Sequence, residues 1–209
     1  RTPQGQPVLV QAGSSGPGRA LAARTAEVVF TANQTLAEAL EFRGDLLDRM
    51  AGFGRGPDDL KVMPGLLPVV GRTEGEARAK FEELQALVDP VVGRALLERV
   101  IGGFDLSGHD PDGPVPELPE SNGLKSRQRL MFDLARREGL TLRGLYLRVA
   151  GARGHSQIVG TPAQIVDEME ERFRAGGADG FNIMPATLPG GLDDFIALVL
   201  PELRRRGLF

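Results

Sequence analysis

A glycine- and serine-rich turn between an apolar run and an Ala-rich stretch is the part of this sequence best suited to chemistry. The run Val8–Gln11 predicts a strand, and residues 13–18, Gly-Ser-Ser-Gly-Pro-Gly, follow at once. Small residues let an anion approach the backbone, where free N–H groups and the dipole of a following helix hold it. Ser14 and Ser15 can also simply cap that helix. The pattern predicts either a phosphate site or an ordinary capped turn.

The two histidines are the other candidates for proton transfer or metal binding. His155 lies in the extended stretch Gly151–Gly160, where it can line a pocket or be a structural, hydrogen-bonded residue. His109 is close to Asp110 and Asp112, which could bind a cation, although a solvated loop is the simpler interpretation. Two histidines and no cysteine do not supply a His-based or Cys-based metal site, so none is predicted.

A dinucleotide-dependent dehydrogenase is a weaker interpretation of the same turn. Gly13, Gly16 and Gly18 do not follow the order GxGxxG, although they approach the looser pattern of short-chain dehydrogenases. That family needs a tyrosine with a lysine four residues later. Tyr146 is followed at that distance by Ala150, so the required pair is missing.

Composition and charge narrow the function classes. The chain has 209 residues, of which 41% are hydrophobic and 25% charged, and its net charge is −3. This balance provides no excess of positive charge that would favour binding to nucleic acid or to an anionic membrane. No apolar stretch approaches the roughly 20 residues of a membrane span, and the N-terminus lacks the apolar core of a signal peptide. We therefore expect a cytoplasmic protein with a small-molecule partner.

Hydrophobic patterning predicts strands and helices in alternation. The predicted strands are Val8–Gln11, Glu27–Thr31, Lys61–Met63 and Gly180–Met184. Beyond the third strand we expect irregular extended chain, because Pro64 and Pro68 cannot donate to a sheet ladder. Capping boxes at Thr35, Thr73 and Thr161 predict the first turns of three helices.

Additional helices are expected before the last strand–helix unit. A Pro-rich acidic loop at residues 102–123 is long enough to be a lid or a binding loop. Helices at about 90–101, 124–137 and 142–149 surround it. We expect residues 90–150 to be a helical and loop insertion within one α/β domain, residues 1–209.

The strand–helix alternation predicts a fold with parallel strands. Strands that alternate with helices form a parallel sheet covered by those helices. About four such units make half of a (β/α)8 barrel or a small doubly wound sheet. In both folds the binding groups gather at the carboxyl ends of the strands, where the turn at residues 13–16 lies.

Three stretches together resemble the bacterial-luciferase-like, flavin-dependent monooxygenases. The resemblance is to the branch that contains nitrilotriacetate, dibenzothiophene-sulfone and long-chain alkane monooxygenases. Its motifs are Pro7–Ser15 with Gly18-Arg19 and Ala26–Phe30; His155 with Val159–Pro162; and Ala178–Pro185. Their order and spacing match the C-terminal half of that family over nearly the whole chain.

The resemblance implies a fold, a reaction and site residues. It implies a (β/α)8 TIM barrel that binds reduced FMN from a separate flavin reductase and uses O2, through a flavin peroxide, to oxygenate a small organic substrate. The implied FMN-phosphate contacts are Gly13, Ser14, Ser15 and Gly16, with Ser15 preferred. His155 would orient substrate or peroxide as the catalytic candidate, and Phe181 and Asn182 would border the barrel mouth at the end of the last strand.

The match covers only half of the family's barrel. The strand before the turn would then be the fifth of eight, and four units would leave two sheet edges and the barrel interior open. The missing half lies elsewhere, two chains pair to close a barrel, or this piece adopts an altered assembly. We expect a homo-oligomer. The alternative function is a non-catalytic half-barrel module that self-associates through its open edges.

Overall fold

The structure is a computed structural model that describes residues 2–116 and 125–209. The chain forms two compact units. The first contains the residues up to Glu74 together with His155–Phe209, and the second is Gly75–Gly154. The predicted insertion, residues 90–150, lies within the second unit.

The first unit is built on a parallel sheet. Its strands are β1 (Val10–Gln11), β2 (Val28–Thr31), β3 (Lys61–Val70), β4 (Ser156–Gly160) and β5 (Asn182–Ile183). β1 pairs with β2 and β2 with β3, while β4 and β5 both pair with β3, and all these pairs are parallel. The predicted parallel α/β arrangement is confirmed.

Helices connect the strands and also fill the second unit. They are α1 (Gly16–Thr25), α2 (Leu36–Ala51), α3 (Glu74–Ala86), α4 (Pro90–Val100), α5 (Lys125–Glu138), α6 (Leu142–Ala152), α7 (Pro162–Arg174), α8 (Gly190–Asp194) and α9 (Leu200–Arg205), with a 3-10 turn at Pro57–Asp59 and a π-helical turn at Phe195–Val199. Two of the three predicted capping boxes are confirmed: Thr35 pairs with Glu38, and Thr161 pairs with Gln164. The helix predicted after Thr73 is α3, which begins at Glu74.

β3 is one continuous strand, Lys61–Val70, although the sequence predicted only its first three residues as strand. That prediction is wrong. The amide of Lys61 donates to the carbonyl of Glu27, and the amide of Gly71 donates to the carbonyl of Gly160. Because alternate amides of a strand point to opposite edges, β2 and β4 occupy successive parts of one edge of β3.

The prolines of β3 are tolerated because their missing amides would face the other edge. Even-numbered amides point that way, since the amide of Val62 donates to Asp179, which precedes β5. β5 pairs only with Gly65 and its successor. Pro64 and Pro68 therefore lie outside the β5 ladder, and no strand bond is lost.

β1 and β5 are shorter than predicted. β1 begins at Val10, and β5 covers only Asn182–Ile183. The extended stretch predicted for Gly151–Gly160 is strand only from Ser156. Two residues in the left-handed region, Arg153 (φ 50°) and Gly154 (φ 87°), turn the chain from α6 into β4.

The sheet of the first unit is well covered on one face only. Residues that pair in register lie on the same face of a sheet, as Val29 and Val62 do. The face that carries them is packed against helices. The opposite face, here called the inner face, carries Val10, Val28, Phe30, Met63, Gly65 and Asn182. Val10 is 64% exposed and Asn182 is exposed, so this face is incompletely covered.

The second unit has its own helical core. Its buried residues are Leu97, Ile101, Leu106, Met131, Leu134, Ala135, Leu142, Leu145, Tyr146 and Val149. Arg143 fastens the preceding loop, because its Nε and Nη2 atoms lie 2.7 and 3.1 Å from the carboxylate of Asp112. Of the predicted Pro-rich loop, residues 117–123 lie outside the described residues, as does the predicted start of the next helix at Leu124.

Candidate functional site

The carboxyl ends of the strands define the edge where a site is expected. Because β1, β2, β3 and β5 are parallel, their carboxyl ends face the same way. The turn at residues 12–15 follows β1 and leads directly into α1. The predicted phosphate turn is therefore placed between a strand end and a helix N-terminus, the arrangement that favours anions.

Ser15 is the N-cap of α1. Its Oγ accepts a hydrogen bond from the amide of Gly18 at 3.2 Å. Glycines also let the two ends of the turn approach each other closely, since a Cβ added to Gly18 would lie 3.1 Å from the backbone of Gly13. Because the Ser15 hydroxyl acts as acceptor toward the helix, its own proton can be donated to a ligand.

The backbone of the turn keeps donors available. Within residues 2–116 and 125–209, no group accepts a hydrogen bond from the amides of Ser14, Ser15 or Gly16. These three residues are exposed. Pro17 contributes no amide. The turn thus offers three N–H donors and two hydroxyls to one exposed ligand.

Arg19 fixes the shape of this turn and adds positive charge. Its Nε donates to the carbonyl of Ser14 at 3.0 Å, and its Nη1 lies 3.1 Å from Asp45. The guanidinium also covers the Phe42 ring at 4.8 Å. Burial raises the pKa of Asp45, but hydrogen bonds from Arg49 and Arg19 outweigh it, so this pKa lies below its ordinary value. The carboxylate therefore stays charged and holds Arg19 in place.

His155 is buried on the inner face. It immediately precedes β4 and is 6% exposed. Its ring stacks on Phe30 of β2, with the ring centroids 4.7 Å apart and an angle of 20° between the planes. The structure therefore places His155 against Phe30, one residue before the carboxyl end of β2.

Phe181 and Asn182 lie on different faces of the sheet. Phe181 is half-buried and packs, with Ile183, against the apolar cluster that includes Leu66 and Ile165 on the helix-covered face. Asn182 pairs in register with Gly65 and is exposed on the inner face. Phe181 precedes β5 and Asn182 begins it, whereas the sequence predicted both at the end of the last strand. The role of Phe181 and Asn182 at the barrel mouth stays a prediction.

The acidic loop offers no cation site among its described groups. The carboxylate of Asp112 is engaged by Arg143, whose hydrogen bonds hold the pKa of Asp112 below its ordinary value. The His109 ring lies against Phe104, with centroids 5.9 Å apart. In the described ranges no group of three His, Cys, Asp or Glu side chains could hold a metal ion.

Comparison with known proteins decides the family. The family model of luciferase-like monooxygenases matches residues 1–180. The chain belongs to this family. It is 54% identical to nitrilotriacetate monooxygenase component A of Aminobacter aminovorans, an alignment that covers 100% of this chain and 46% of that protein. The resemblance drawn from the three motifs is confirmed.

Solved structures of luciferase-like relatives agree with the fold. DmoA of Hyphomicrobium sulfonivorans superposes with a TM-score of 0.84 and 31% identity, over 99% of this chain and 43% of that one. Riboflavin lyase RcaE, solved with a modified FMN and riboflavin, gives 0.79 and 32% identity over 99% and 45%. The chain spans about half the length of these relatives. The predicted half-barrel fold class is confirmed.

One further property of the described part follows from its helices. None of them combines the length and the apolar composition that crossing a lipid bilayer requires.

Two residues of this site are not predicted from the sequence. Arg19 belongs to a motif without a predicted role, and Gly65 lies against the His155 ring. A signal existed for Gly65, because a glycine inside an apolar run suggests close approach of another group. No comparable signal linked Arg19 to Ser14, since the contact depends on how the helix meets the turn.

Proposed function

We propose that this protein is a two-component, FMN-dependent monooxygenase. It would take reduced FMN from a separate flavin reductase and use O2 to oxygenate a small organic substrate in the cytoplasm. The described chain would supply the C-terminal half of the barrel. The observation that carries the proposal is the exposed turn of Ser14, Ser15 and Gly16, whose amides have no acceptor in the described residues and which lies between the end of β1 and the start of α1.

The donors of the turn fit a phosphate group in number and in charge. A phosphate has several acceptor oxygens, and three amides with two hydroxyls can satisfy most of them. The N-terminus of α1 adds its dipole, and the guanidinium of Arg19 adds a positive charge close to the Ser14 carbonyl. The ion pair with Asp45 keeps that guanidinium in place, so Arg19 would stay bound to the Ser14 carbonyl when a phosphate binds.

The inner face would hold the reacting part of the flavin. Its side chains are mostly apolar, which favours the exclusion of water from a reactive group. Its polar members beside β3 are His155, Gln157 and Asn182. His155 would orient substrate or hold a proton at an imidazole nitrogen, and bound reduced FMN would supply the electrons and the activation of O2.

The proposal is tested by titrating reduced FMN into the complete gene product under anaerobic conditions. Replacing Ser14 and Ser15 together by alanine removes two hydroxyl donors to a charged group. Such hydrogen bonds contribute about 1.5 kcal/mol or more each, so we expect the Kd for FMN to rise roughly 100-fold. An unchanged Kd would contradict the phosphate role of the turn. Ser107→Ala, in the exposed loop of the second unit, is the matched control.

A self-associating half barrel remains the second candidate function. Val10 of the inner face and Val8, which lies just before β1, are each 64% exposed and favour it, because exposed apolar surface of this kind is normally covered. A solution mass of two chains together with no flavin affinity would support this alternative. The dehydrogenase interpretation receives no support from the match to luciferase-like monooxygenases.

A further inference from the structure

The ring of His155 packs against residues of two other strands and of the segment that follows β5. Phe30 of β2 stacks on one side of it, at 4.7 Å between ring centroids. Gly65 of β3 lies beneath the ring, and Met184, which follows β5, lies beside the same glycine. The name His155 seat is used below for Phe30, Gly65 and Met184.

Gly65 makes room for the imidazole. A Cβ added at this position would lie 2.5 Å from Nδ1 and 2.9 Å from Cγ of His155, and 2.9 Å from the sulfur of Met184. Real Cβ atoms essentially never approach other heavy atoms so closely, so any side chain here would displace the histidine.

Backbone conformation does not explain this glycine. Gly65 is not among the residues with positive φ, and it pairs in ordinary parallel register with Asn182. Glycine inside a strand is unfavourable by about 0.5–1 kcal/mol relative to alanine. Its role at this position is therefore steric, and the group that it accommodates is the His155 ring.

We propose that Gly65, Phe30 and Met184 are positioning residues that hold the His155 imidazole toward the flavin site. This inference rests on the proposed function, in which the flavin lies on the inner face. The backbone before His155 supports it. Arg153 and Gly154 have positive φ and turn the chain there, so the position of the His155 ring depends on the residues that it packs against. Without the seat the ring would lose the stacking partner and the space that define its position.

The test follows the imidazole signals of His155 by NMR, in the complete gene product with isotope-labelled histidine. This chain contributes only two histidines, and the signal lost in His155→Gln identifies the one of interest. Gly65→Ala is expected to shift the Cε1–H and Cδ2–H signals, because the ring is pushed off Phe30. Gly44→Ala is the matched control, since a Cβ there meets nothing within 4 Å and no shift is expected.

Phe30→Leu provides a second variant that adds no atoms to the seat. It should move the same two signals downfield, because the ring current of the stacked phenylalanine is lost. Identical His155 signals in the parent, Gly65→Ala and Phe30→Leu proteins would show that Gly65 and Phe30 do not position the ring.

Addition of FMN separates this inference from the proposed function. We expect FMN to shift the His155 signals of the parent, and to shift them differently in Gly65→Ala. FMN that binds the parent without moving these signals would overturn the positioning role and leave FMN binding standing. A parent that does not bind FMN would overturn the proposed function itself, and with it the orientation toward a flavin.

Discussion

Asp179→Ala is expected to destabilise the protein by about 3 kcal/mol. Its Oδ2 accepts the amide of Val62 at 2.8 Å and lies 2.9 Å from Nη1 of Arg43, and so joins β3, α2 and the segment before β5. Val62 is buried, so the substitution leaves its amide without an acceptor as well as removing the partner of a half-buried cation. Each loss costs about 1–3 kcal/mol.

The measurement is urea unfolding of the parent and variant proteins. Asp58→Ala is the control, because that carboxylate is 99% exposed and its ion pair with Lys61 contributes little. Asp179→Asn should lie between the two, since an amide oxygen can still accept from Val62 but carries no charge for Arg43. A midpoint for Asp179→Ala equal to that of Asp58→Ala would contradict the anchoring role.

Ser15→Asp is expected to abolish most FMN affinity while the fold is retained. Aspartate is as good an N-cap as serine, so α1 should keep its cap and the free energy of unfolding should change by less than about 0.5 kcal/mol. The new carboxylate would lack the hydroxyl proton and repel a phosphate. The combined loss of about 3 kcal/mol corresponds to roughly a 100-fold rise in Kd.

The comparison variant for this prediction is Ser107→Asp. It makes the same change of charge in the exposed loop of the second unit and should leave the Kd for FMN unchanged. Tight FMN binding by Ser15→Asp would show that the turn does not contact the phosphate. Loss of folding in Ser15→Asp would instead show that the capping argument is wrong.

Local features of the fold could be predicted from residues close in sequence. The capping boxes at Thr35 and Thr161 depend on side chains three positions apart, and both form as expected. The length of β3 could not be predicted in this way. Whether Pro64 and Pro68 interrupt a ladder depends on which edge their missing amides would face, and that edge is set by β5, more than a hundred residues later.

The candidate site likewise combines a part formed by residues close in sequence with a part formed by distant residues. The turn at residues 13–16 is contiguous, and its place between β1 and α1 could be predicted from the sequence alone. The seat of His155 brings together residues from β2, β3 and the segment after β5, so no local pattern identifies it. Phe181 was assigned to the barrel mouth by resemblance, whereas strand alternation places it against Leu66 and Ile165 on the covered face.

The affinity difference between FMN and riboflavin tests the central claim most directly. The two flavins differ only by the phosphate, so their Kd values in the complete gene product isolate what the turn of Ser14, Ser15 and Gly16 contributes. With several charge-assisted hydrogen bonds at that turn, reduced FMN should bind more than about 100-fold more tightly than reduced riboflavin, and the double Ser14→Ala, Ser15→Ala variant should lower that ratio roughly 100-fold. Equal binding of the two flavins by the parent protein would contradict the account.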